Sequence, residues 1–300
     1  MRSGFASVVG RPNVGKSTLV NALVGTKVTI TATAPNTTRF NVRGVLHRPD
    51  AQVVFVDTPG LHRPRTPLGR RLNETATGSL ADVDVLLAVV DATALIGPGD
   101  RLVLGRALQA SAGEGPPSLI VVVNKVDRAQ KVQVVERLAS AAATVERLAE
   151  EAGRPALAGG VDYFPVAALT GEGVPALADA VVAGLEEGPA YYPRDMVTDT
   201  PEGLAVAELV REQLLVRARE ELPHSIACRV TEWEWPRIRC EILVERDSQK
   251  AIVIGRRGEV LKEVGTAVRE QLPPGAYLEL FVRVEPRWQR REDALDELGY

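Results

Sequence analysis

The chain has 300 residues, 45% of them hydrophobic and 25% charged, with a formal net charge of −3. This is ordinary globular composition, enough for one large domain or two smaller ones with a sizeable core. It excludes three classes. Two cysteines make no disulfide framework, runs such as 85–90 and 119–123 are far too short to span a bilayer, and no broad basic character advertises a nucleic-acid partner. The opening residues lack the apolar stretch of a signal peptide, so the cytosol is the expected compartment.

Short valine-rich segments at 5–9, 52–56, 85–90, 119–123 and 161–166 read as buried parallel strands. Helical patterns at 16–24, 100–111, 131–151 and 174–185 alternate with them. That order predicts a doubly wound, mostly parallel α/β sheet over residues 1–187, with its ligand at the carboxyl ends of the strands. Residues 188–200 carry prolines and acidic residues without a period and read as a linker. From 201 to 300 the order changes. Thr200 and Pro201 open a helix striped by Val206, Leu209, Val210 and Leu214. Two alternating strands follow, then a short helix, the sequence Gly255-Arg256-Arg257-Gly258, a second helix over 259–271 and a last strand over 278–284. This is an α+β arrangement.

Three motifs carry the chemistry of the first part. GRPNVGKST (10–18) follows the first strand and opens a helix, fitting G-x-x-x-x-G-K-[ST], the P-loop of P-loop NTPases. Gly10 and Gly15 let the backbone approach phosphate, with Asn13, Val14, Ser17 and Thr18 completing the cradle. The helix N-terminus adds partial positive charge, Lys16 reaches the β- and γ-phosphates, and the Ser17 hydroxyl is placed to ligate Mg2+. DTPG (57–60) closes the next strand, putting Asp57 near that ion and the Gly60 N–H near the γ-phosphate. NKVD (124–127) ends a later strand. Asp127 can accept two hydrogen bonds from guanine, and adenine offers neither donor. Asn124 ties this loop to the cradle, and the Lys125 stem can lie on the base. Together the motifs predict a GTP- and GDP-binding switch. Residues 31–44 are the candidate switch loop, with Thr38 the first choice for the metal and Thr37 the second.

The motifs GRPNVGKST, NTTR, DTPGLH, NKVD and VAALTGEG resemble the Era family of bacterial GTPases. The segment LVERDSQKAIVIGRRGEVLKEVG (243–265) is similar to that family's KH domain. The resemblance covers nearly the whole chain. It departs at Ala167-Ala168, where the family shows Ser-Ala, and at Asn36, where it often has Gln. The Ala168 N–H is still expected to meet the guanine O6, with Ala167 and Leu169 beside the base. The resemblance implies slow GTP hydrolysis. Leu61 stands where Ras-like proteins carry a water-orienting glutamine, so water positioning must come from elsewhere. Related GTPases suggest a K+ ion held by Asn13. Asn13, Lys16, Thr38 and Gly60 are thus the expected catalytic set, Ser17, Thr38 and Asp57 the Mg2+ set, and His62 a bystander.

The tail matches a bacterial-type (type II) KH domain, whose G-x-x-G loop clamps four nucleotides of single-stranded RNA. Gly255 and Gly258 admit phosphates, Arg256 and Arg257 supply charge, Lys250 and Lys262 flank them, and Ile252 and Ile254 are groove candidates. Yet residues 201–300 hold 16 Lys and Arg against 19 Asp and Glu. Affinity must therefore come from a local patch. Trp233, Trp235 and Trp288 read as packing residues rather than base-stacking ones, and Cys228 and Cys240 as buried thiols. The resemblance further implies a monomer acting on the 3′ end of small-subunit ribosomal RNA during subunit assembly, with peripheral contact at the inner membrane face. Two other classes compete: an assembly module whose hydrolysis is incidental, and a membrane-surface signalling GTPase with a protein-binding tail.

Overall fold

The computed structural model describes residues 1–112, 115–217 and 225–300. Two compact units emerge: residues 1–29, 38–63 and 72–199 form the first, and 30–37, 64–71 and 200–300 the second.

The first unit is built on a six-stranded sheet: β1 (Arg2–Gly10), β2 (Val42–His47), β3 (Ala51–Asp57), β4 (Val85–Asp91), β5 (Ser118–Asn124) and β6 (Asp162–Val166), in the order β2-β3-β1-β4-β5-β6. All neighbours are parallel except β2 on β3, which run antiparallel. Strands β4 and β5 are apolar up to their last residue, over 85–90 and 119–123, because both of their faces are covered. On one face Val8, Phe55, Leu87 and Val122 pack with Leu19 of α1 (Lys16–Val24) and Leu177 of α5 (Val174–Ala183). On the other, Leu86, Ala88, Val90 and Val121 pack with Leu104 of α3 (Pro98–Ala110) and Val145 of α4 (Lys131–Glu151). Order reverses on either side of β1, the switch point at which open sheets of this type bind ligands.

Among the described residues a strand and two helices went unread in the sequence, the last of them Glu292–Glu297. Strand β2 overlaps the expected switch loop. Its Gly44 breaks the apolar pattern because a Cβ there would come within 2.8 Å of Val24 and Val28. Helix α2 (Pro67–Gly78) buries Leu68, Leu72 and Ala76, a stripe at every fourth residue. The stretch read as a linker is bound to the first unit. The Tyr191 and Tyr192 N–H groups donate to Gln52 Oε1 at 2.7 and 3.0 Å, and Arg43 pairs with Asp199 at 2.9 Å.

The second unit contains α6 (Glu202–Arg217), β7 (Ala227–Glu234), β8 (Arg237–Val244), α7 (Asp247–Ile254), α8 (Glu259–Arg269), β9 (Tyr277–Val284) and α9 (Glu292–Glu297). Strand β8 is central, antiparallel to β7 and parallel to β9. Cys240, Ile242 and Val244 of β8 face Val206, Val210 and Leu214 of α6 and Val253, Val264 and Val268 of α7 and α8. Helix α6 begins at Glu202, one residue later than Pro201 suggested. Both cysteines are free and buried. Trp288 is fully buried, its indole N–H donating to the Ser225 carbonyl at 2.9 Å and its ring stacked on Tyr300. It is a core residue, whereas Trp233 and Trp235 are exposed.

Candidate functional site

The parallel strands all stop at the same end of the sheet, on Gly10 of β1, Asp57 of β3, Asp91 of β4, Asn124 of β5 and Val166 of β6. Between β1 and α1 the backbone turns through left-handed conformations at Asn13 (φ 66°) and Gly15 (φ 94°). These turn the loop back over itself before α1 starts at Lys16. Lys16 is buried, its ammonium donating to the carbonyls of Gly10 and Arg11 at 3.2 and 3.1 Å. Burial pulls its pKa down to about 8, with the Asp57 charge opposing that fall. The loop thus arranges amides and one cation around a single point, which suits a polyphosphate.

Beside it lies a cluster of oxygen atoms. Ser17 Oγ and Thr38 Oγ1 stand 2.8 Å apart. Thr38 and Thr29 donate to Asp57 Oδ2 at 3.1 and 2.9 Å. Thr37, by contrast, turns its hydroxyl to the Ala34 carbonyl at 2.7 Å. The structure therefore brings Thr38, not Thr37, to Ser17 and Asp57. Asp57 is wholly buried, and its Oδ1 has no hydrogen-bond partner among the described residues. Burial raises its pKa against the lowering influence of Lys16 and the three hydroxyls. One carboxylate and two hydroxyls form a hard-oxygen donor set. Such a set fits Mg2+, which keeps most of its water and takes the rest of its ligands from phosphate.

Gly60 lies at the edge of this cluster. A Cβ on it would sit 2.7 Å from the Pro12 nitrogen, so the position admits nothing larger. Leu61 is buried in the core, with its N–H on the Gly10 carbonyl at 3.1 Å. His62 is pinned: one ring nitrogen bonds the Gly60 carbonyl at 2.9 Å, and its backbone N–H meets Asn73 Oδ1 at 3.2 Å.

Asn124 joins three loops. Its Nδ2 donates to the Val14 carbonyl at 2.9 Å, and its Oδ1 accepts the Ala168 N–H at 3.0 Å. Lys125, itself left-handed at φ 69°, donates to the Asn13 carbonyl at 2.6 Å and pairs with Asp91 at 2.7 Å. Burial works to raise the Asp91 pKa, but the bonds from Lys125 and Thr93 outweigh it and leave it lowered. Asp91 was missed from sequence. Its signal was available, since it ends β4 as Asp57 and Asn124 end their strands. Asp127 projects from the following turn, with Leu169 exposed on the neighbouring loop.

In the second unit, α7 and α8 are joined by Gly255 (φ 74°), Arg256, Arg257 (φ 55°) and Gly258 (φ 81°). Gly255 allows close packing, because a Cβ there would lie 2.9 Å from the Val260 nitrogen. Arg256 and Arg257 are exposed, and among the described residues neither joins an ion pair. Ile252 is exposed, Ile254 half-buried, and Val253 between them is the core residue. Lys250 lies on the same helix. Lys262 stands on the side of α8 toward α6, in a groove with Arg217, Glu259, Glu263 and Glu270.

The six-stranded sheet and its phosphate loop define a P-loop nucleotide-binding domain, and the second unit carries the helix, G-x-x-G, helix order of a KH module. Residues 5–125 match the model of the 50S ribosome-binding GTPases, and residues 221–289 match that of the KH domain. The chain is 46% identical to GTPase Era of Mycobacterium tuberculosis over 310 residues, covering 99% of this chain and 98% of the relative. It is 44% identical to GTPase Era of Mycobacterium avium over 311 residues, covering 100% and 99%. A crystal structure of Era in complex with MgGDPNP and nucleotides 1506–1542 of 16S ribosomal RNA superposes with a TM-score of 0.88 at 36% identity, over 100% of this chain and 99% of that one. A point variant of Aquifex aeolicus Era bound to GDP and AlF4− gives 0.86 at 35% identity, over 100% and 99%. The chain belongs to the Era family of GTPases. No described helix is long and apolar enough to cross a membrane.

Proposed function

We propose that residues 1–187 bind and hydrolyse GTP, that 188–200 connect them to the tail, and that 201–300 bind the 3′ end of small-subunit ribosomal RNA during subunit assembly. The observation that carries this reading is the Asn124 junction: one amide ties the phosphate loop, the purine-selecting loop and the Ala168 loop into a single pocket. Asp127 selects guanine. Gly10, Asn13, Val14, Gly15, Lys16, Ser17 and Thr18 hold the phosphates, and Ala167, Ala168 and Leu169 border the base. Ser17, Thr38 and Asp57 hold Mg2+, which when bound supplies charge neutralisation at the β- and γ-phosphates.

In this reading Lys16 remains charged beside the γ-phosphate, the Gly60 N–H stabilises charge developing there, and Thr38 closes the site against water. Leu61 orients no water. We assign the missing positive charge to K+ held by the Asn13 side chain. The support is that Asn13 is exposed on a loop whose backbone Lys125 fixes. Hydrolysis compared in K+ and Na+, in the native protein and in Asn13→Ala, tests this. Equal rates in both cations would end it.

The RNA assignment uses Lys250, Ile252, Ile254, Gly255, Arg256, Arg257, Gly258 and Lys262. Of these, Lys262 has the weakest support because three glutamates share its groove. Crosslinking to RNA with GTP or GDP bound, followed by sequencing of the captured fragment, is the decisive experiment. Arg256→Ala/Arg257→Ala/Gly258→Asp should abolish capture. Undiminished capture would move the RNA site elsewhere. The action is cytosolic, with at most peripheral contact at the inner membrane face, which vesicle flotation checks.

A further inference from the structure

Helix α6 carries three charged residues on one face at i, i+3 and i+4: Glu208, Arg211 and Glu212. All three are buried, Arg211 completely. A surface reading of this face is therefore wrong. Burying a guanidinium is costly unless its bonds are well made. Here Glu208 grips it in a fork, accepting from Nε at 2.8 Å and from Nη2 at 2.5 Å. Two bonds to one carboxylate fix the plane of the guanidinium. So held, Nη2 also donates to the main-chain carbonyl of Thr37.

That carbonyl belongs to the peptide unit whose nitrogen is Thr38's. A peptide is planar, so fixing the Thr37 oxygen fixes the direction from which the chain enters Thr38. The same helix grips the other end of the segment. Glu212 accepts the Thr31 N–H at 2.8 Å. Residues 30–37 are thus fastened at both ends by consecutive side chains of α6, and the next residue is the one whose hydroxyl meets Ser17 and Asp57.

We propose that Arg211, seconded by Glu212, is a positioning residue for GTP hydrolysis: it sets the Thr37–Thr38 peptide so that the Thr38 hydroxyl stands at the Ser17–Asp57 cluster. Neither residue touches nucleotide. Their effect passes through Thr38. This rests on the GTPase reading above, and a wild-type protein without GTP hydrolysis would defeat that reading first, before any variant is compared.

The test is single-turnover GTP hydrolysis by the full chain over a range of Mg2+, alongside GDP affinity. Glu208→Gln/Arg211→Met removes the grip without stranding a buried carboxylate. A hydrogen bond from a charged donor is lost, so hydrolysis should fall about 10- to 100-fold. Half-saturating Mg2+ should rise, while GDP affinity stays within about twofold, since the Lys16 and Asn124 contacts are untouched. A merely structural role would lower both together. On a Thr38→Ala background the same pair should change hydrolysis no further. Losses that multiply there, or GDP affinity falling in step with hydrolysis, would overturn the proposal. Should that double variant not fold, Glu212→Gln keeps the shape of the side chain and weakens its bond to Thr31. It should slow hydrolysis a few-fold on the native background and not at all on Thr38→Ala. Native rates in Glu212→Gln would then refute it.

Discussion

Replacing Asn124 with alanine probes the junction that joins the phosphate loop to the Ala168 loop. The side chain is 2% exposed and makes two bonds, to the Val14 carbonyl at 2.9 Å and from the Ala168 N–H at 3.0 Å. Truncation leaves both main-chain groups without their partner. An orphaned buried polar group costs about 1–3 kcal/mol. Two would cost about 2–6 kcal/mol, and water entering the emptied space lowers this to about 2–4 kcal/mol. Urea unfolding of the nucleotide-free protein measures it. With a slope of about 2 kcal/mol per molar, the midpoint should drop by about 1–2 M. GDP affinity should fall as well, because the Ala167–Leu169 loop loses its tie to the phosphate loop. Asn124→Asp separates the two bonds. It keeps the acceptor for Ala168 but turns a second oxygen on the Val14 carbonyl, so it should be at least as damaging as alanine. A midpoint shift below about 0.3 M with native GDP affinity, in either variant, would refute the claim that this side chain joins the loops.

Nucleotide affinity should depend on pH through Lys16. Its pKa is lowered to about 8 from 10.5, so the free protein loses that proton on passing pH 8, whereas bound phosphates favour the charged form. Binding above pH 8 should therefore take up a proton, and affinity should fall by up to about tenfold per pH unit there. Calorimetric enthalpies at pH 8.5 that do not vary with the buffer's ionisation heat would contradict this. The same shift has the opposite sign for folding: without nucleotide, stability should rise between about pH 8 and 10.5, where the unfolded chain holds the proton more tightly. Gly15→Ala should cost more than tenfold in GDP affinity, measured by fluorescence titration. Its φ of 94° is left-handed, and a Cβ would lie 2.4 Å from Asn124 Nδ2. Asp91→Asn should raise the rate of GDP release modestly, by about 1 kcal/mol at most, since the pair with Lys125 is partly exposed. Stopped-flow displacement of labelled GDP reads it.

The sheet was legible because its parallel strands must be apolar on both faces and must stop where the ligand begins. Ser118–Asn124 and Ala51–Asp57 each close on a functional last residue. The phosphate loop was legible because few residues tolerate φ 94° beside an amide only 2.4 Å from a would-be Cβ. Strand β2 was hidden because Arg43, Gly44 and His47 interrupt its alternation, and its partner β3 completes it only after folding. Glu208, Arg211 and Glu212 were hidden for a different reason. On a helical wheel they read as a wet face beside the Val206–Val210–Leu214 stripe, and the backbone that buries Arg211 lies 174 positions away. Sequence periodicity reports local faces. It carries no sign of a distant carbonyl.

The arginines of the last hundred residues fall into two populations. Arg229, Arg237, Arg239, Arg283 and Arg291 are each matched to a carboxylate, while among the described residues Arg246, Arg256, Arg257, Arg269, Arg287 and Arg290 join no ion pair. Of these, Arg256 and Arg257 lie on the G-x-x-G loop, and in the RNA assignment proposed above they and the neighbouring lysines are the cations that displace counter-ions from the bound strand. Single strands return a log–log slope of about −0.7 per neutralised phosphate. RNA affinity should thus decline gently with ionic strength, with a slope of about −1.5 to −3 rather than the steep fall of a protein that presents all its cations. A grip of this kind still works at cytoplasmic ionic strength, and for that very reason it has to draw its selectivity from bases rather than from charge.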